Sequence, residues 1–154
     1  MTMKTIDSKD LDPGFKHDVA AHAGGENIKL CFACGTCTAA CPVAEVDSEF
    51  NPRQIIRQVL IGMRKDVLSS PVIWRCVQCY SCTAKCPQNV RFREVIRALR
   101  EMAVAEGVVD AATAAEVEAI GPFLQKVRRN LVAALLADRT KYEESKGRLS
   151  EMAK

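Results

Sequence analysis

All eight cysteines of this 154-residue chain belong to two runs with one spacing, C-x2-C-x2-C-x3-C, and proline follows each run at once. The first run contains Cys31, Cys34, Cys37 and Cys41. The second run contains Cys76, Cys79, Cys82 and Cys86, each 45 residues after its counterpart. The flanking text repeats as well, as CFACGTCTAACP and CVQCYSCTAKCP. This pattern indicates an internal duplication of a metal-binding unit.

Three cysteines within seven residues can place their thiolates at three corners of one iron-sulfur cube. The fourth thiolate lies beside a proline that turns the chain away, and in the bacterial two-cluster arrangement it ligates the cluster of the other run. The sequence therefore predicts two 4Fe-4S clusters with crossed ligation. The predicted ligands of the first cluster are Cys31, Cys34, Cys37 and Cys86. The predicted ligands of the second cluster are Cys76, Cys79, Cys82 and Cys41.

Other uses of the cysteines explain the spacing less well. Structural zinc takes paired C-x2-C ligands from two segments, so it leaves the extra cysteines unexplained and stays open as the minor alternative. A disulfide framework suits a secreted chain, but the start MTMKTIDSKDLDPGF lacks the apolar region of a signal peptide. Covalent haem requires histidine after C-x2-C, where this sequence has Gly35, Thr38, Tyr80 and Thr83.

The composition is that of a soluble globular protein, with 48% hydrophobic residues and no apolar run near the ~20 residues that cross a bilayer. We therefore expect a cytoplasmic protein without direct membrane insertion. The formal net charge of +3 decreases to about −1 when two clusters, each −2 with its thiolates, are included. Lysine and arginine are interspersed with acidic residues, so no nucleic-acid partner is expected.

The segments around the cysteine runs predict helices and no strand. Phe15 to Ala23 can form two helical turns, and Asn51-Pro52 indicates the start of a helix that continues to about Leu68. Ser70-Pro71 predicts a short helix that leads into the second run. An amphipathic helix is predicted after that run, from about Phe92 to Glu106.

Two further helices and a tail are predicted beyond the second run. Asp110 is expected to cap an alanine-rich helix to about Ile120, and Gly121-Pro122 to open another that continues to about Leu136. The chain is thereby divided into four parts. These are a flexible N-terminal arm at 1–14, a two-cluster domain at 15–108, C-terminal helices for partner docking at 109–137, and a charged tail at 138–154.

The two runs are separated by 34 residues of helical pattern, which resembles the α-helical ferredoxin fold and not the small β-rich ferredoxins. The segments CFACGTCTAACPV, NPRQIIRQVLIG and IWRCVQCYSCTAKCPQNVRFREVIRALR resemble the C subunit of heterodisulfide reductase and its homologues in sulfur-metabolising complexes. The resemblance covers roughly residues 13–108 and includes Trp74, two residues before the second run. It implies an all-α fold, an α-helical ferredoxin with two 4Fe-4S clusters and additional C-terminal helices.

By this resemblance the chain is an electron-transfer subunit of an oxidoreductase complex and is not catalytic alone. It would relay electrons between a flavin-bearing A-like protein and a catalytic B-like protein that converts a disulfide or another sulfur compound. The residues agree with this expectation, because all eight cysteines serve as ligands and the sequence has neither a histidine-paired nucleophile nor a glycine-rich phosphate loop. No catalytic residue is predicted.

Two other functions stay open at this point. A freestanding ferredoxin-like carrier would use the same clusters. Similar cysteine runs also occur in the iron-sulfur subunits of succinate dehydrogenase, fumarate reductase and quinone-linked oxidoreductases. The succinate dehydrogenase subunits carry a further 2Fe-2S domain, and its plant-type C-x4-C-x2-C pattern is missing here.

The potentials of the clusters depend on nearby charges, on hydrogen bonds to sulfur and on solvent exposure. Four cationic residues lie close to the second run in the sequence: Arg75, Lys85, Arg91 and Arg93. They are expected to raise the potential of that cluster, with Glu45 and Asp47 opposing them.

Overall fold

The computed structural model describes residues 6–152, which form nine α-helices, three short 3-10 helices and no β-strand. The helices around the cysteine runs are α1 (Phe15–Ala21), α2 (Thr36–Ala39), α3 (Pro42–Val46), α4 (Pro52–Ile61), α5 (Arg64–Leu68), α6 (Ser81–Lys85) and α7 (Phe92–Ala105). The helices that follow are α8 (Ala111–Ala137) and α9 (Arg139–Met152). The 3-10 helices are Ser8–Asp10, Glu26–Leu30 and Pro71–Arg75. The predicted all-α class is confirmed.

The chain divides into two compact units, the first ending at Ala111 and the second beginning at Ala112. The first unit contains both cysteine runs and all the side chains that the described structure buries. The second unit consists of α8 beyond its first residue and α9. Because α8 has no buried residue, the second unit has no apolar core comparable to that of the first.

The core of the first unit is built on the apolar faces of α4 and α7. Apolar residues recur at helical spacing on both helices, and the structure buries them as that pattern predicts. The buried aliphatic residues of these two faces include Ile55, Ile56, Val59, Val95, Ile96 and Leu99. Each such side chain contributes about 1.5–3 kcal/mol when it is removed from water, so this layer is a main source of stability.

The duplication of the cysteines extends to the backbone around them. A 3-10 helix precedes each run, Glu26–Leu30 and Pro71–Arg75, and the two are again 45 residues apart. Their counterpart residues Ile28 and Ile73 are both buried in the core. Within the runs, the short helices α2 and α6 pack against each other, while α4 packs against α2 and α7 against α6. Each half therefore repeats one arrangement around the α2–α6 contact.

The predicted single helix from Asn51 to about Leu68 is wrong, because the chain breaks at Gly62 into α4 and α5. Its predicted start is confirmed, since the Asn51 side chain accepts from the Gln54 N–H. Gly62 adopts φ +90°, a left-handed conformation that ends α4. The Asp12 N–H donates to the Gly62 carbonyl at 2.8 Å. The break therefore lets the N-terminal segment pack closely against the end of α4.

Residues 1–5 of the predicted N-terminal arm lie outside the described residues. Within the described part, Leu11 packs against the core of the first unit. The Arg64 guanidinium donates to Asp12 Oδ2 at 3.1 Å and to Glu106 Oε1 at 2.7 Å. The pKa of Arg64 is raised, first by Glu106 and then by the other carboxylates around it. The segment from Leu11 is thereby attached to α5 and to the end of α7.

In place of two predicted helices, α8 continues from Ala111 to Ala137 with Pro122 inside it. Proline removes one helical hydrogen bond and crowds the preceding turn, but the alanine-rich flanks favour the helix strongly enough to continue it. The predicted charged tail contains α9, and Asp138 Oδ1 accepts from the Thr140 N–H at 3.0 Å at its start. Among residues 6–152, no helix combines the length and the apolar character needed to cross a membrane.

Gly62→Ala is expected to destabilise the first unit by more than the ~1–2 kcal/mol that a left-handed residue other than glycine costs. The added Cβ would lie 2.4 Å from the backbone oxygen of Asp12, so the helix end and the N-terminal segment would have to separate. Gly107→Ala is the matched control, because Gly107 also has positive φ, +69°, but no atom within 4 Å of a Cβ. Thermal unfolding followed by far-UV circular dichroism measures both variants. Equal losses would contradict the packing role of Gly62.

Candidate iron-sulfur site

Two cavities of the first unit are lined by the cysteines. The first encloses about 350 Å³, part of it open to solvent, and its lining includes Cys31, Cys34, Cys37 and Cys86. The second encloses about 300 Å³, and its lining includes Cys41, Cys76, Cys79 and Cys82. Each cavity thus brings together three cysteines of one run and the fourth cysteine of the other run. These are the two sets of residues that the spacing predicts for the two clusters.

The boundary between the cavities is formed by Cys82 and Phe92, which line both. Cys82 is buried, whereas Cys34 and Cys79 are exposed. Because Cys34 and Cys79 are counterparts in the duplication, each cavity has its second cysteine at the protein surface. The two cavities are therefore neighbours, and each of them also reaches solvent.

The donor set is made of thiols that surround a cavity. Among residues 6–152 there is no group of three or more histidine, cysteine or acidic side chains placed to hold a single metal ion. A structural zinc site requires such a group, with sulfur ligands at ≈ 2.3 Å from the metal. A cube binds its four thiolates at four different irons, so the wider arrangement of four cysteines around each cavity fits an iron-sulfur cluster.

The two cysteine loops share an unusual backbone conformation. Ala33 and its counterpart Gln78 have φ of +58° and +54°, and Gly35 and its counterpart Tyr80 have +86° and +64°. Residues other than glycine seldom adopt positive φ, so its recurrence at equivalent positions indicates that the loop requires it. The conformation curves the loop back on its first cysteine, since the Ala33 N–H lies 3.4 Å from Cys31 Sγ.

Burial separates the thiols by their acidity. Desolvation raises the pKa of Cys37, Cys76 and Cys82 above the ordinary value. The pKa of the exposed Cys34 is lowered, first by the Thr36 hydroxyl, which lies 3.3 Å from its Sγ atom. Because metal ligands must be thiolates, binding of a cluster releases protons from the buried thiols.

An arginine from the helix after each run lines each cavity. Helices α4 and α7 repeat one pattern, RQIIRQVL and REVIRALR. Its first residue is Arg53 at the first cavity and Arg93 at the second. Arg93 was expected near the second run and lies 4.8 Å over the Tyr80 ring. Arg53 was not predicted, although the repeat of the two helices would have identified it.

The other cations expected near the second run include one that is held by carboxylates. Arg75 Nη1 lies 2.8 Å from Asp47 Oδ2 and 2.7 Å from Glu49 Oε2. This hydrogen bond from Arg75 holds the pKa of Asp47 below its ordinary value. The pair connects the segment after the first run to the 3-10 helix before the second run, and it offsets the charge of Arg75.

A further cation, Arg100 of α7, was missed by reasoning from the sequence. It is buried, with 6% of its surface exposed, and donates to the carbonyl oxygens of Ile73, Trp74 and Cys76 at 3.1, 2.9 and 3.0 Å. Its guanidinium carbon lies 5.4 Å over the Trp74 ring. The signal that identifies it is its position on the apolar face of α7, four residues after Ile96.

The threonines that follow the third cysteine of each run differ in their contacts. Thr38 Oγ1 donates to Asn51 Oδ1 at 3.0 Å and accepts from the Arg53 N–H at 3.0 Å. The equivalent Thr83 Oγ1 is buried without a hydrogen-bond partner. A buried hydroxyl without a partner is costly, and one beside Cys82 fits a site whose sulfur atoms would accept its hydrogen bond.

Thr38→Val is expected to destabilise the first unit by about 1–2 kcal/mol, because it removes two hydrogen bonds that attach α2 to the start of α4. Thr83→Val is the matched control, since it removes the same hydroxyl without breaking a hydrogen bond within the protein. Denaturant unfolding of both variants, followed by circular dichroism, measures the difference. A loss for Thr83→Val as large as that for Thr38→Val would show that the hydrogen bonds of Thr38 contribute nothing.

Comparison with known proteins agrees with this geometry. Residues 27–90, which include all eight cysteines, match the 4Fe-4S dicluster domain family. The chain is 35% identical over 117 residues to the C subunit of the H(2):CoB-CoM heterodisulfide,ferredoxin reductase of Methanothermobacter thermautotrophicus, which is 76% of this chain and 60% of that protein. It is 42% identical over 82 residues to an iron-sulfur C subunit, numbered 2, of the CoB--CoM heterodisulfide reductase of Methanocaldococcus jannaschii, which is 53% of this chain and 43% of that protein.

A third relative is the C subunit of the Ferredoxin:CoB-CoM heterodisulfide reductase of Methanosarcina acetivorans, 43% identical over 81 residues, or 53% of this chain and 32% of that protein. The chain thus spans 60% or less of the length of these relatives. The thiol-lined cavities and the matching family both support iron-sulfur clusters as the bound group. The chain therefore belongs to the family of heterodisulfide reductase C subunits, with a 4Fe-4S dicluster domain at residues 27–90.

Proposed function

We propose that the chain is the iron-sulfur electron-transfer subunit of a cytoplasmic heterodisulfide-reductase-like complex. It relays electrons between a flavin-bearing A-like protein and a catalytic B-like protein that converts a disulfide or another sulfur compound. The observation that carries the proposal is the pair of neighbouring cavities, each lined by three cysteines of one run and the fourth of the other. Its likeness to C subunits supplies the kind of complex.

Two 4Fe-4S clusters with crossed ligation are part of the proposal. The first is held by Cys31, Cys34, Cys37 and Cys86. The second is held by Cys76, Cys79, Cys82 and Cys41. Clusters of this kind supply reversible one-electron chemistry. The chain fixes their spacing through the shared residues of the two cavities, and the buried Phe50 and Phe92, in edge-to-face contact at 6.4 Å, exclude water from the second.

Exposed residues beside both cavities support a relay with two accessible ends. Cys34 and Cys79 are exposed, one at each cavity. Phe32 and Val77, counterparts that follow the first cysteine of each run, are each 59% exposed. Apolar side chains of this size at the surface beside a redox group are typical of a contact with another protein. One partner at each cavity agrees with a subunit that stands between an electron donor and an electron acceptor.

Helix α8 favours a docking subunit over a freestanding carrier. Large apolar side chains of α8 stay exposed, including Ile120 at 52%, Leu124 at 51% and Leu136 at 83%. Apolar residues alternate at three and four positions along it: Val117, Ile120, Leu124, Val127 and Leu131. This spacing is the seam of a helix that packs against another helix. We assign the seam to an apolar helix of a partner protein in the complex, and α9 continues the chain beyond it.

Cys41→Ser is expected to damage the cluster that includes Cys79, and Cys86→Ser the cluster that includes Cys34. The reason is that each fourth cysteine lines the cavity of the other run. Iron content should decrease by about half in each variant, since each loses one ligand of one of two equal clusters. Electron paramagnetic resonance of the dithionite-reduced proteins identifies which signal changes.

The signals are assigned first with Cys34→Ser and Cys79→Ser, which remove the second cysteine of each run. The crossed model pairs Cys41→Ser with Cys79→Ser, and Cys86→Ser with Cys34→Ser. The opposite pairing would mean two independent local sites and would overturn the crossed ligation. Protein without iron and sulfide after anaerobic purification would contradict the cluster assignment as a whole.

A chain that ends at Asp110 is expected to keep both clusters and lose its partner proteins, because all the core residues precede this position. Leu124→Glu tests the seam in the full chain, with Arg128→Glu as a charge-changing control on the same helix. Native affinity purification followed by mass spectrometry measures retention of the flavin-bearing and catalytic proteins. Retention by Leu124→Glu equal to that of the control, or a seam that only joins two copies of this chain, would contradict the assignment.

A further inference from the structure

A permanent positive charge lies inside the first unit, beside the first cysteine of the second run. Arg100 is 6% exposed, and its guanidinium donates to the carbonyl oxygen of Cys76 at 3.0 Å and to those of Ile73 and Trp74. The guanidinium stays protonated in proteins, so these contacts hold a charge and not a neutral donor. Burial of a charge is costly unless it is hydrogen-bonded, and the three carbonyl groups meet that need.

The duplicated half of the protein has no such charge at the same position. The repeats RQIIRQVL and REVIRALR align Leu60 of α4 with Arg100 of α7. Leu60 is half-buried and packs against the core. The two halves thus share one backbone arrangement, yet the first run faces leucine at the position where the second run faces arginine.

We propose that Arg100 raises the reduction potential of the cluster held by Cys76, Cys79, Cys82 and Cys41 above that of the other cluster. The inference rests on the proposed function, because it requires two clusters with crossed ligands. Each cluster takes one electron from an external reductant and passes from the 2+ to the 1+ state, with no bond made or broken. The added negative charge is attracted by a nearby cation, so Arg100 favours the reduced state of the second cluster.

The other cations near the cavities are less buried than Arg100. The side chain of Arg75 is 36% exposed and that of Arg93 is 16% exposed, and each of them also contacts a carboxylate. Arg53, at the first cavity, is exposed. Exposed charges are screened by water and salt, whereas a buried charge is screened much less. Arg100 therefore acts on its neighbouring cluster more strongly than these cations do.

The test is a redox titration of the intact holo-protein, with each cluster followed by electron paramagnetic resonance. Dithionite is the reductant, and Cys34→Ser and Cys79→Ser assign the signals. In the wild type, the second cluster should be reduced first. Arg100→Met should decrease its equilibrium constant for reduction at least tenfold, which is about 59 mV for a one-electron couple. The first cluster should change by less than about threefold.

Arg97→Met is the matched control, because Arg97 is an exposed cation on the same helix that binds Glu94 and Glu101. It should shift neither cluster by more than about threefold. Arg100→Lys keeps the charge but not the planar fork, so the second cluster should still be reduced first. If Arg100→Met does not fold, the order of reduction in the wild type and in Arg100→Lys decides the question.

Reduction of the first cluster before the second in the wild type would overturn the role of Arg100. So would an equal shift of both clusters in Arg100→Met, or a shift no larger than that of Arg97→Met. Failure of the proposed function looks different, since it appears before the titration. A protein with far fewer than about eight irons per chain, or with one signal only, would contradict the two clusters themselves and not the effect of Arg100.

Discussion

The contact between α2 and α6 is the interaction on which the rest of the first unit depends. Each run supplies three cysteines to its own cavity, and the fourth reaches the other cavity only because the two short helices pack together. Neither half therefore forms a complete site alone. Segments 55 residues apart, at Cys31 and Cys86, meet at one cavity, while Cys41 and Cys76 meet at the other. A bound cluster at either cavity would restrict the unfolded chain as a cross-link does, in addition to the apolar core.

Packing and polar contacts hold the two halves in this register. The buried faces of α4 and α7 lie on either side of the α2–α6 pair, and the Arg75 pair with Asp47 joins the segments that follow and precede the runs. Arg100 holds the start of the second run through Cys76. Hydrogen bonds of this kind add little stability individually, but they fix the direction of backbone that carries cysteines. The apolar core supplies the free energy, and the polar contacts supply the geometry.

Much of this arrangement could be predicted from the sequence, because cysteine spacing and helical periodicity are local signals. The spacing gives the four cysteines that line each cavity, and the periodicity gives α1, α4 and α7 within a few residues. The break at Gly62 was missed because a glycine inside a helical pattern costs only about 1 kcal/mol, and the contact with Asp12 that requires it is distant in the sequence. The interruption expected at Pro122 is absent, because the favourable flanking residues outweigh a single proline. Arg100 was missed for a related reason, since the carbonyl groups it binds come from another segment of the chain.

The duplication explains why such polar details matter to an electron relay. Two identical halves would hold two clusters of equal potential, and equal potentials give an electron no preferred position. The repeated residues, namely the cysteines, the 3-10 helices and the apolar faces, determine where the clusters lie and are the same in both halves. The residues that differ, Thr38 with its two hydrogen bonds against Thr83 with none and Leu60 against Arg100, change the surroundings of sulfur without moving the backbone. Divergence at these few positions can therefore separate two potentials while the shared architecture keeps the distance between the clusters fixed.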